Sequence, residues 1–390
     1  MIQPGLLGRI NEWRVLRTIQ QRGSLSRADL ARLTGITAPT ASKASWTLLR
    51  QGWLVEEDAL DNRRGRPSKK LRLRSEQVQI LGVVIDTPQC QLITSCLEGA
   101  LSPEQSACIP TPRSYVALLD TISHWAQQQI AEPGRETWGL CLCMPGLIDH
   151  TQQRGLLSPN VPLTDGQTPA LDLAERLGIP CKLLQEQHAL CLAERYDGDA
   201  QTLDDFALMD LSTGVALPVV SRGRLFTGHR GLAGELGHLT VNVKGRLCGC
   251  GNTGCLETEI SDPACLRCVS EARGREVTFA QAVALLNAQD AAAWSAMSER
   301  IDYLAIGVAA ALHLFNPQTL FLHGRFVREC PEVLERLRKR LVTRTLPPAL
   351  ADCDIVLAQG SKAQGVVAGM IEYLIDSRLP KEILAIAPKL

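Results

Sequence analysis

The chain has 390 residues, which is too long for one ordinary hydrophobic core and suits two or three domains of roughly 100–200 residues each. Hydrophobic residues make up 45% of it and charged residues 21%, as is typical of a soluble globular protein. No apolar run reaches the roughly 18–20 residues that a membrane helix needs. The N-terminus also lacks the charged, apolar and small-residue regions of a signal peptide. These features argue against a membrane-inserted or secreted protein, and we expect a cytoplasmic one.

The formal net charge of zero conceals an uneven distribution of charge. Residues 1–75 contain 15 lysines and arginines against six aspartates and glutamates, whereas the rest of the chain contains 26 and 35. A basic module on an acidic body suggests a polyanionic partner for the module alone. A merely solvated basic surface is the alternative, and charge by itself does not decide between them.

The first 75 residues carry the pattern of a winged helix-turn-helix. Apolar residues recur at helical spacing, and Ser26 and Thr37 are good N-caps for a second and a third helix. A two-stranded ribbon with a polar turn follows these helices. The predicted elements are helices at residues 9–21, 26–35 and 37–51 and strands at residues 53–57 and 70–74.

The third predicted helix would lie in the major groove of DNA. Its small apolar residues, with Leu48, would face the core of the module. Its polar side chains are then available for phosphates or base edges. These side chains are Thr37, Thr40, Ser42, Lys43 and Thr47. A winged helix that binds protein is the alternative, and the basic charge of the module favours DNA.

The turn between the two strands contains the tetrapeptide Arg-Gly-Arg-Pro, preceded by a further arginine. This tetrapeptide resembles the core of an AT-hook, whose extended backbone enters a narrow A·T minor groove. We therefore predict that Arg63, Arg64 and Arg66 contact A·T-rich DNA. Turns of this composition are often only solvated, which is the alternative.

After about residue 75, strands and helices alternate, which predicts an α/β body. It would contain two lobes, opened by strands at residues 80–85 and 206–211. The other expected strands lie at residues 138–143, 182–184, 319–322 and 355–357. The expected helices lie at residues 115–129, 170–177, 189–196, 279–286, 298–314, 331–341 and 365–375.

The sharpest motif is His238 followed by Cys248, Cys250 and Cys255. One imidazole and three thiols make a complete tetrahedral ligand set with no open position for water. The predicted ion is therefore zinc in a structural role. Most of the other cysteines in this chain of 14 stand singly in apolar runs, which indicates buried thiols rather than disulfides.

The Gly-Glu-Leu-Gly-His run that ends at His238, together with these cysteines, resembles the ROK family of repressors, open reading frames and kinases. The resemblance is closest to its sugar-responsive repressors of the NagC/XylR type and covers nearly the whole chain. It implies an actin-like (ribonuclease H-like) fold, in which two α/β lobes enclose a ligand cleft. The expected organisation is a winged helix-turn-helix at residues 1–75 and a ROK domain at 76–390, with lobe one at about 76–186 plus 361–390 and lobe two at about 187–360.

The resemblance also implies the sugar contacts, which map onto Asn160, Glu235, His238 and Glu257. His238 would bind zinc with one ring nitrogen and face the sugar with the other. Glu186 aligns with the catalytic base of the family's kinases. It could act as a base or bind a sugar hydroxyl.

Three nucleotide-binding elements of the family's kinases are altered in this sequence. An Asp-Gly-Gly-Thr turn is replaced by Asp86-Thr-Pro-Gln, which loses the glycines and one main-chain donor. The second phosphate loop keeps only Thr213 and Gly214, and the usual double glycine of the adenosine region reads His323-Gly324. Together these changes argue against phosphoryl transfer, with a bifunctional sugar kinase as the alternative.

We therefore expect a repressor, with an activator as the alternative, that binds a palindromic, A·T-rich operator as a homodimer or homotetramer. A sugar or sugar phosphate in the cleft would alter its affinity for the operator. Control by sequestration on a partner protein is a further possibility, for which residues 381–386 could form an amphipathic helix.

Overall fold

A computed structural model describes residues 4–58 and 69–379 of the protein. The predicted DNA contacts Arg63, Arg64 and Arg66 lie outside these described residues, as does the segment at residues 381–386. Within the described ranges, no helix combines the length and the apolar character that crossing a membrane requires.

The N-terminal domain is a winged helix-turn-helix, as predicted. Its elements are α1 (Pro4–Arg22), β1 (Leu25–Ser26), α2 (Arg27–Thr34), α3 (Ala38–Arg50), β2 (Leu54–Asp58) and β3 (Lys69–Leu73). The hydroxyls of Ser26 and Thr37 cap α2 and α3 by accepting main-chain hydrogen bonds. The strands pair antiparallel in the order β1-β3-β2. Helix α1 starts earlier than residue 9 because a proline is well suited to the first turn of a helix.

The first lobe of the body is built on a five-stranded sheet of order β10-β7-β4-β5-β6. Strands β4, β7 and β10 run parallel, whereas β5 and β6 form an antiparallel extension. The elements are β4 (Val78–Val84), β5 (Gln89–Cys96), β6 (Ala107–Pro110), α4 (Tyr115–Ile130), β7 (Glu136–Met144), β8 (Leu147–Asp149), β9 (Arg154–Leu157), α5 (Pro169–Leu177), β10 (Cys181–Gln185) and α6 (Glu186–Tyr196). Strands β8 and β9 form a separate ribbon.

The second lobe repeats this plan with the strand order β13-β12-β11-β14-β15. Its elements are β11 (Phe206–Asp210), β12 (Val219–Ser221), β13 (Arg224–Leu225), α7 (Glu257–Ile260), α8 (Asp262–Ala272), α9 (Phe279–Asn287), α10 (Ala291–Phe315), β14 (Thr319–His323), α11 (Arg325–Glu329), α12 (Pro331–Leu341), α13 (Pro347–Ala351) and β15 (Asp354–Leu357). The last described helix, α14 (Lys362–Asp376), returns to pack on β4, β7 and α6 of the first lobe.

Each sheet is centred on its first strand, which pairs antiparallel with the second and parallel with the fourth. This repeated order is that of the predicted two-lobed, actin-like body. The predicted domain limits at residues 75, 186 and 361 stay predictions, although α6 continues past residue 186 and packs mainly on α14 of the first lobe. In sheets of this kind, ligands bind beyond the carboxyl ends of the parallel strands. The residues that follow β4, β10, β11 and β14 are therefore the first places to look for a site.

Candidate effector site and DNA-binding surface

The structure brings together the four residues of the predicted metal site. The ligand atoms of His238, Cys248, Cys250 and Cys255 all lie within 4.8 Å of one another. The Sγ atoms of Cys250 and Cys255 are 3.8 Å apart, and Cys248 Sγ is 3.7 Å from His238 Nδ1. Ligands bound tetrahedrally at zinc distances are separated by roughly 3.5–3.8 Å. The cluster therefore has the donor atoms and the dimensions of a closed tetrahedral metal site.

A tight loop presents the three cysteines. Gly254 has a φ of +73°, and a Cβ there would lie 1.5 Å from the carbonyl oxygen of Asn242. Only glycine fits this position, because it combines a left-handed conformation with close approach of two main chains. Isolated bridges between Thr240 and Cys255 and between Leu247 and Thr253 join the two sides of the loop.

Two of the predicted sugar contacts lie directly beside the cluster. His238 directs Nδ1 to the cysteines, while its Nε2 is 3.9 Å from Glu235 Oε2. Glu257 has one carboxylate oxygen 3.5 Å from Cys248 Sγ, and the other accepts a hydrogen bond from the N–H of Val215 at 3.1 Å. A metal bound at Nδ1 would thus leave Nε2 facing Glu235.

Glu235 links the cluster to the first turn of α6. Its Oε1 accepts a hydrogen bond from Gln187 Nε2 at 3.3 Å. Burial raises the pKa of Glu235, and this hydrogen bond opposes the rise. Gln187 directly follows Glu186, so α6 joins the two parts of the candidate site.

Asn160 lies on an exposed loop that follows β9. Its carbonyl oxygen accepts a long hydrogen bond, 3.5 Å, from Thr87 Oγ1. Its neighbour Pro159 approaches the cysteine loop, since a Cβ on Gly249 would lie 3.4 Å from Pro159 Cβ. The loop that carries Asn160 in the first lobe therefore contacts the cysteine loop of the second.

Glu186 has a partner that the motif analysis did not assign. Lys362 Nζ forms an ion pair with Glu186 and lies 3.1 Å from Asp86 Oδ2. Burial raises the pKa of Glu186, and the charge of Lys362 opposes the rise. Burial would by itself lower the pKa of Lys362, but the charge of Glu186 and then of Asp86 raises it overall. The lysine is therefore held in its charged form.

A hydrogen-bonded pair, Asp210 and His323, lies in the same region on the side of the second lobe. Asp210, at the end of β11, has its Oδ1 2.8 Å from Nδ1 of His323, at the end of β14. Burial would raise the pKa of Asp210, but the hydrogen bond from His323 lowers it overall, aided by the charge of Lys362. The strand ends predicted to mark a site thus hold a cluster of buried charges. No local sequence signal identifies Lys362 as a member of it, and the altered adenosine motif at His323 does not predict the contact with Asp210.

The two lobes are also joined beside the candidate site by an ion pair between the buried carboxylate of Asp149 and the partly exposed guanidinium of Arg230. Arg230 Nε is 2.8 Å from Asp149 Oδ2, and the hydrogen bond of this guanidinium lowers the pKa of Asp149. The N–H of His150 donates to the carbonyl oxygen of Arg230 at 3.2 Å. His150 in turn lies 3.1 Å from Gln185, directly before Glu186. These contacts join residues far apart in the chain and therefore leave no local signal in the sequence.

The predicted major-groove contacts all lie on or directly before α3. Thr37 and Thr40 are engaged with each other, with their hydroxyl oxygens 2.8 Å apart, and Thr47 Oγ1 donates to the carbonyl oxygen of Lys43 at 3.1 Å. Ser42 and Lys43 are exposed. Exposed polar groups on the face opposite the domain core are the arrangement that a DNA-reading helix requires.

The fold and the site define a two-lobed, actin-like protein with a winged helix-turn-helix at its N-terminus. A model of the ROK family matches residues 88–376, and a model of the MarR family matches residues 9–65. The chain belongs to the ROK family.

Known proteins of two kinds resemble this chain. The xylose repressor of Bacillus spizizenii is 25% identical over 374 residues, which cover 94% of this chain and 96% of the repressor. The crystal structure of a ROK family transcriptional regulator, described as a homologue of the E. coli MLC protein, has a TM-score of 0.82 at 22% identity and covers 98% of this chain and 99% of its own. The ROK hexokinase from Thermus thermophilus has a TM-score of 0.65 at 27% identity and covers 76% of this chain and 98% of its own.

Proposed function

We propose that this protein is a sugar-responsive, DNA-binding transcriptional repressor. The proposal rests on how much of this chain is matched by a repressor and a regulator, compared with how much is matched by a kinase. A curated repressor and the fold of a regulator match nearly the whole chain, whereas the hexokinase leaves about a quarter of it unmatched. The sugar would bind between the lobes and change the affinity for DNA. Its proposed contacts are Asn160, Glu186, Glu235, His238 and Glu257.

The cluster of His238, Cys248, Cys250 and Cys255 would hold zinc in a structural role. Four protein ligands leave no position for a reactive water, so the ion would fix geometry rather than activate a nucleophile. With Nδ1 on the metal, His238 is held in one orientation, and Nε2 is available to a sugar hydroxyl beside Glu235.

The ion pair of Glu186 supports a role in binding rather than in phosphoryl transfer. A general base must be able to accept a proton, and the ammonium of Lys362 opposes protonation of Glu186 by favouring its ionised form. The same ammonium also neutralises Asp86, a carboxylate that could otherwise serve a magnesium–nucleotide complex. We infer that the body senses its sugar without phosphorylating it.

DNA binding would use α3 in the major groove and the wing in the adjacent minor groove. The proposed contacts are Thr37, Thr40, Ser42, Lys43, Arg63, Arg64 and Arg66. A homodimer or homotetramer would match a palindromic operator, because two-fold protein symmetry requires two half-sites. An A·T-rich half-site would give the wing arginines a narrow minor groove.

A binding experiment tests this function directly. Duplexes are selected from a random pool with the wild-type protein, and their Kd is measured with and without D-xylose, D-glucose, N-acetyl-D-glucosamine or their phosphates. We expect one of these ligands to change the Kd by about 5- to 150-fold and to raise the Tm of the protein. Glu235→Gln should abolish the response, whereas Glu104→Gln, at an exposed position of the first lobe, should retain it.

Two results would contradict the proposal. One is a protein that selects no duplex, or that binds DNA with no response to any of these sugars. The other is sugar-dependent ATP turnover that disappears in Glu186→Gln, which would instead identify a sugar kinase.

A further inference from the structure

The exposed face of α3 carries a stacked pair of side chains that the motif analysis did not assign. Trp46 is 56% exposed. The guanidinium of Arg50 lies over its indole ring, 4.7 Å from the ring centroid. The pair lies opposite the buried face formed by Ala41, Ala44 and Leu48.

The position of the Trp46–Arg50 pair and the charge around it indicate which kind of partner would cover it. Lys43, Trp46 and Arg50 follow one another along one side of the helix at spacings of three and four residues. Two cations thus flank a large aromatic surface on a domain with 15 basic against six acidic residues. A polyanion complements the charges, and the C5-methyl group of thymine is the apolar feature that the major groove of DNA offers to the ring.

We propose that Trp46 packs against a thymine methyl group in the major groove, while Arg50, held on the ring, binds a neighbouring phosphate. The proposal rests on the DNA-binding function proposed above. It assigns sequence reading to an apolar contact, whereas Arg50 contributes affinity that depends on salt.

Replacement of thymine by deoxyuridine tests the contact, because it removes only the methyl group. In duplexes selected by the wild-type protein, replacement of one thymine in each half-site should weaken wild-type binding roughly five- to tenfold. Trp46→Ala should bind the thymine duplex more weakly by a similar factor and should no longer distinguish thymine from deoxyuridine. Arg50→Ala should lower the slope of log Kd against log salt by about one for each half-site.

Val116→Ala is the matched control, because Val116 is similarly exposed, at 61%, but lies on α4 of the first lobe. It should retain the discrimination of the wild type. An unchanged Kd in Trp46→Ala, or unchanged preference for thymine, would refute the contact while leaving DNA binding itself intact. If the wild-type protein selects no duplex, the proposed function fails first.

A second inference, carried by separate observations, concerns the helices α6 and α14. Both begin at the cleft, where their first residues, Glu186 and Lys362, form the ion pair described above. Ten residues further along each helix, about 15 Å away at 1.5 Å per residue, lie Tyr196 and Glu372. These two side chains contact the DNA-binding domain.

Arg17 of α1 is bound by side chains of both α6 and α14. Its Nη2 is 2.7 Å from Glu372 Oε1 and 3.0 Å from Asp376 Oδ1, and its Nη1 hydrogen-bonds to the hydroxyl of Tyr196. Trp13, also on α1, donates to Asp376 at 2.9 Å. The Arg17 side chain is only 13% exposed, so breaking its ion pairs would leave desolvated charges. Helix α1 should therefore follow these two helices when they move.

Between their ends, α6 and α14 are packed backbone to backbone. A Cβ on Gly365 would lie 1.8 Å from the carbonyl oxygen of Ala189, and one on Gly360, just before α14, would lie 2.5 Å from Ala193 Cβ. The buried carboxylate of Glu194 accepts hydrogen bonds from the main-chain N–H groups of Gln359 and Gly360. Interfaces as close as this transmit displacement rather than absorb it.

Between the DNA-binding domain and the second lobe, the packing leaves space in which α1 could move. A cavity of about 1020 Å³ lies between α1, α14 and the ribbon of β12 and β13. The winged helix therefore contacts α6 and α14 directly, whereas on this side α1 and the ribbon of the second lobe line a common cavity.

We infer that α6 and α14 together transmit sugar occupancy of the cleft to α1, with Lys362 and Arg17 as the positioning residues at the two ends. This inference also rests on the proposed function. A sugar hydroxyl bound to Glu186 would alter the ion pair with Lys362 and bias the position of both helices. Arg17 would convey that bias to the DNA-binding domain.

A double-mutant cycle on DNA affinity tests the coupling and needs no identified sugar. Sites about 15 Å apart without coupling have multiplicative effects on Kd. We expect Lys362→Met to change the Kd for the selected duplex by about threefold or more, and Arg17→Met to remove most of that change. The cycle of Glu186→Gln with Arg17→Met should behave in the same way, and Glu186→Gln preserves shape.

Arg176→Met is the control, since it breaks an exposed pair with Asp120 on the outer side of the first lobe. It should leave the Kd unchanged and combine multiplicatively with Arg17→Met. Multiplicative effects in both test cycles, or a wild-type Kd in Lys362→Met and Glu186→Gln, would overturn the coupling. Neither result would affect the evidence for DNA binding.

Discussion

Replacement of Cys250 and Cys255 by serine should release stoichiometric zinc and lower the free energy of unfolding by about 3–5 kcal/mol. The reason is that much of the apolar surface of the cysteine loop does not pack into the core, although Cys248 and Cys255 are themselves buried. Val243 and Leu247 are exposed, at 81% and 75%, so these two side chains do not hold the loop against the core. The ion would supply the missing constraint by fixing three thiolates of one loop and His238. Zinc content by mass spectrometry and urea unfolding would measure the two effects.

The two ring nitrogens of His238 would connect metal binding to sugar binding, so loss of the metal should also affect the response to the sugar. Without a metal at Nδ1, the imidazole is free to rotate, and Nε2 no longer has a fixed place beside Glu235. The serine variant should therefore also lose the rise in Tm that the effector sugar produces.

The matched control removes two thiols outside the cluster. Cys96 and Cys268 are partly exposed and lie outside the group of four ligands. The variant with serine at both positions should keep its zinc and most of its stability. A wild-type protein that contains no metal after purification, or a Cys250→Ser, Cys255→Ser variant with unchanged stability, would show that the cluster is not a structural zinc site.

The parts of the fold that the sequence predicts are those with strong local signals. The caps at Ser26 and Thr37 locate the helices of the N-terminal domain, and uninterrupted apolar runs locate central strands such as β4 and β11. Short peripheral strands are not predicted, because a two- or three-residue segment such as β12 or β13 has no measurable periodicity. Helix α10 begins earlier than the predicted residue 298, since Asp290 caps it.

The same distinction applies to the candidate site. The metal ligands are predicted because three of them fall within eight residues, so their spacing is itself the signal. Lys362 could not be found in this way. It meets Asp86 and Glu186 only because α14 returns to the first lobe after the chain has completed the second. Long-range pairing of this kind is a property of the topology and leaves no trace in local composition.

Removal of Lys362 should be the most destabilising single change in the cleft. Lys362→Met would leave Glu186 and Asp86 without their ammonium, and removing one partner of a buried ion pair costs about 3–5 kcal/mol. Asp210 and the buried thiol of Cys143 also face this group and supply no compensating positive charge. Urea unfolding near pH 8 would measure the loss.

The pH dependence of this loss distinguishes an unpaired charge from simple damage to packing. Burial raises the pKa of Glu186, and Lys362 opposes the rise, so the pKa should rise further in Lys362→Met. A carboxyl group whose pKa is higher in the folded than in the unfolded state binds its proton more tightly when folded. The deficit of the variant should therefore be largest above the raised pKa and should shrink as the pH falls through it.

A second substitution distinguishes an unpaired charge from a loss of packing. Glu186→Gln removes the unpaired charge, so the double variant with Lys362→Met should recover much of the lost stability near pH 8 and lose the pH dependence. Arg176→Met, in an exposed pair, should cost less than about 1 kcal/mol at any pH. A deficit in Lys362→Met that does not vary with pH and is not relieved by Glu186→Gln would mean that the lysine contributes through packing alone. In that case the ion pair between Lys362 and Glu186 would no longer support a sugar-binding role for Glu186 over a role as a general base.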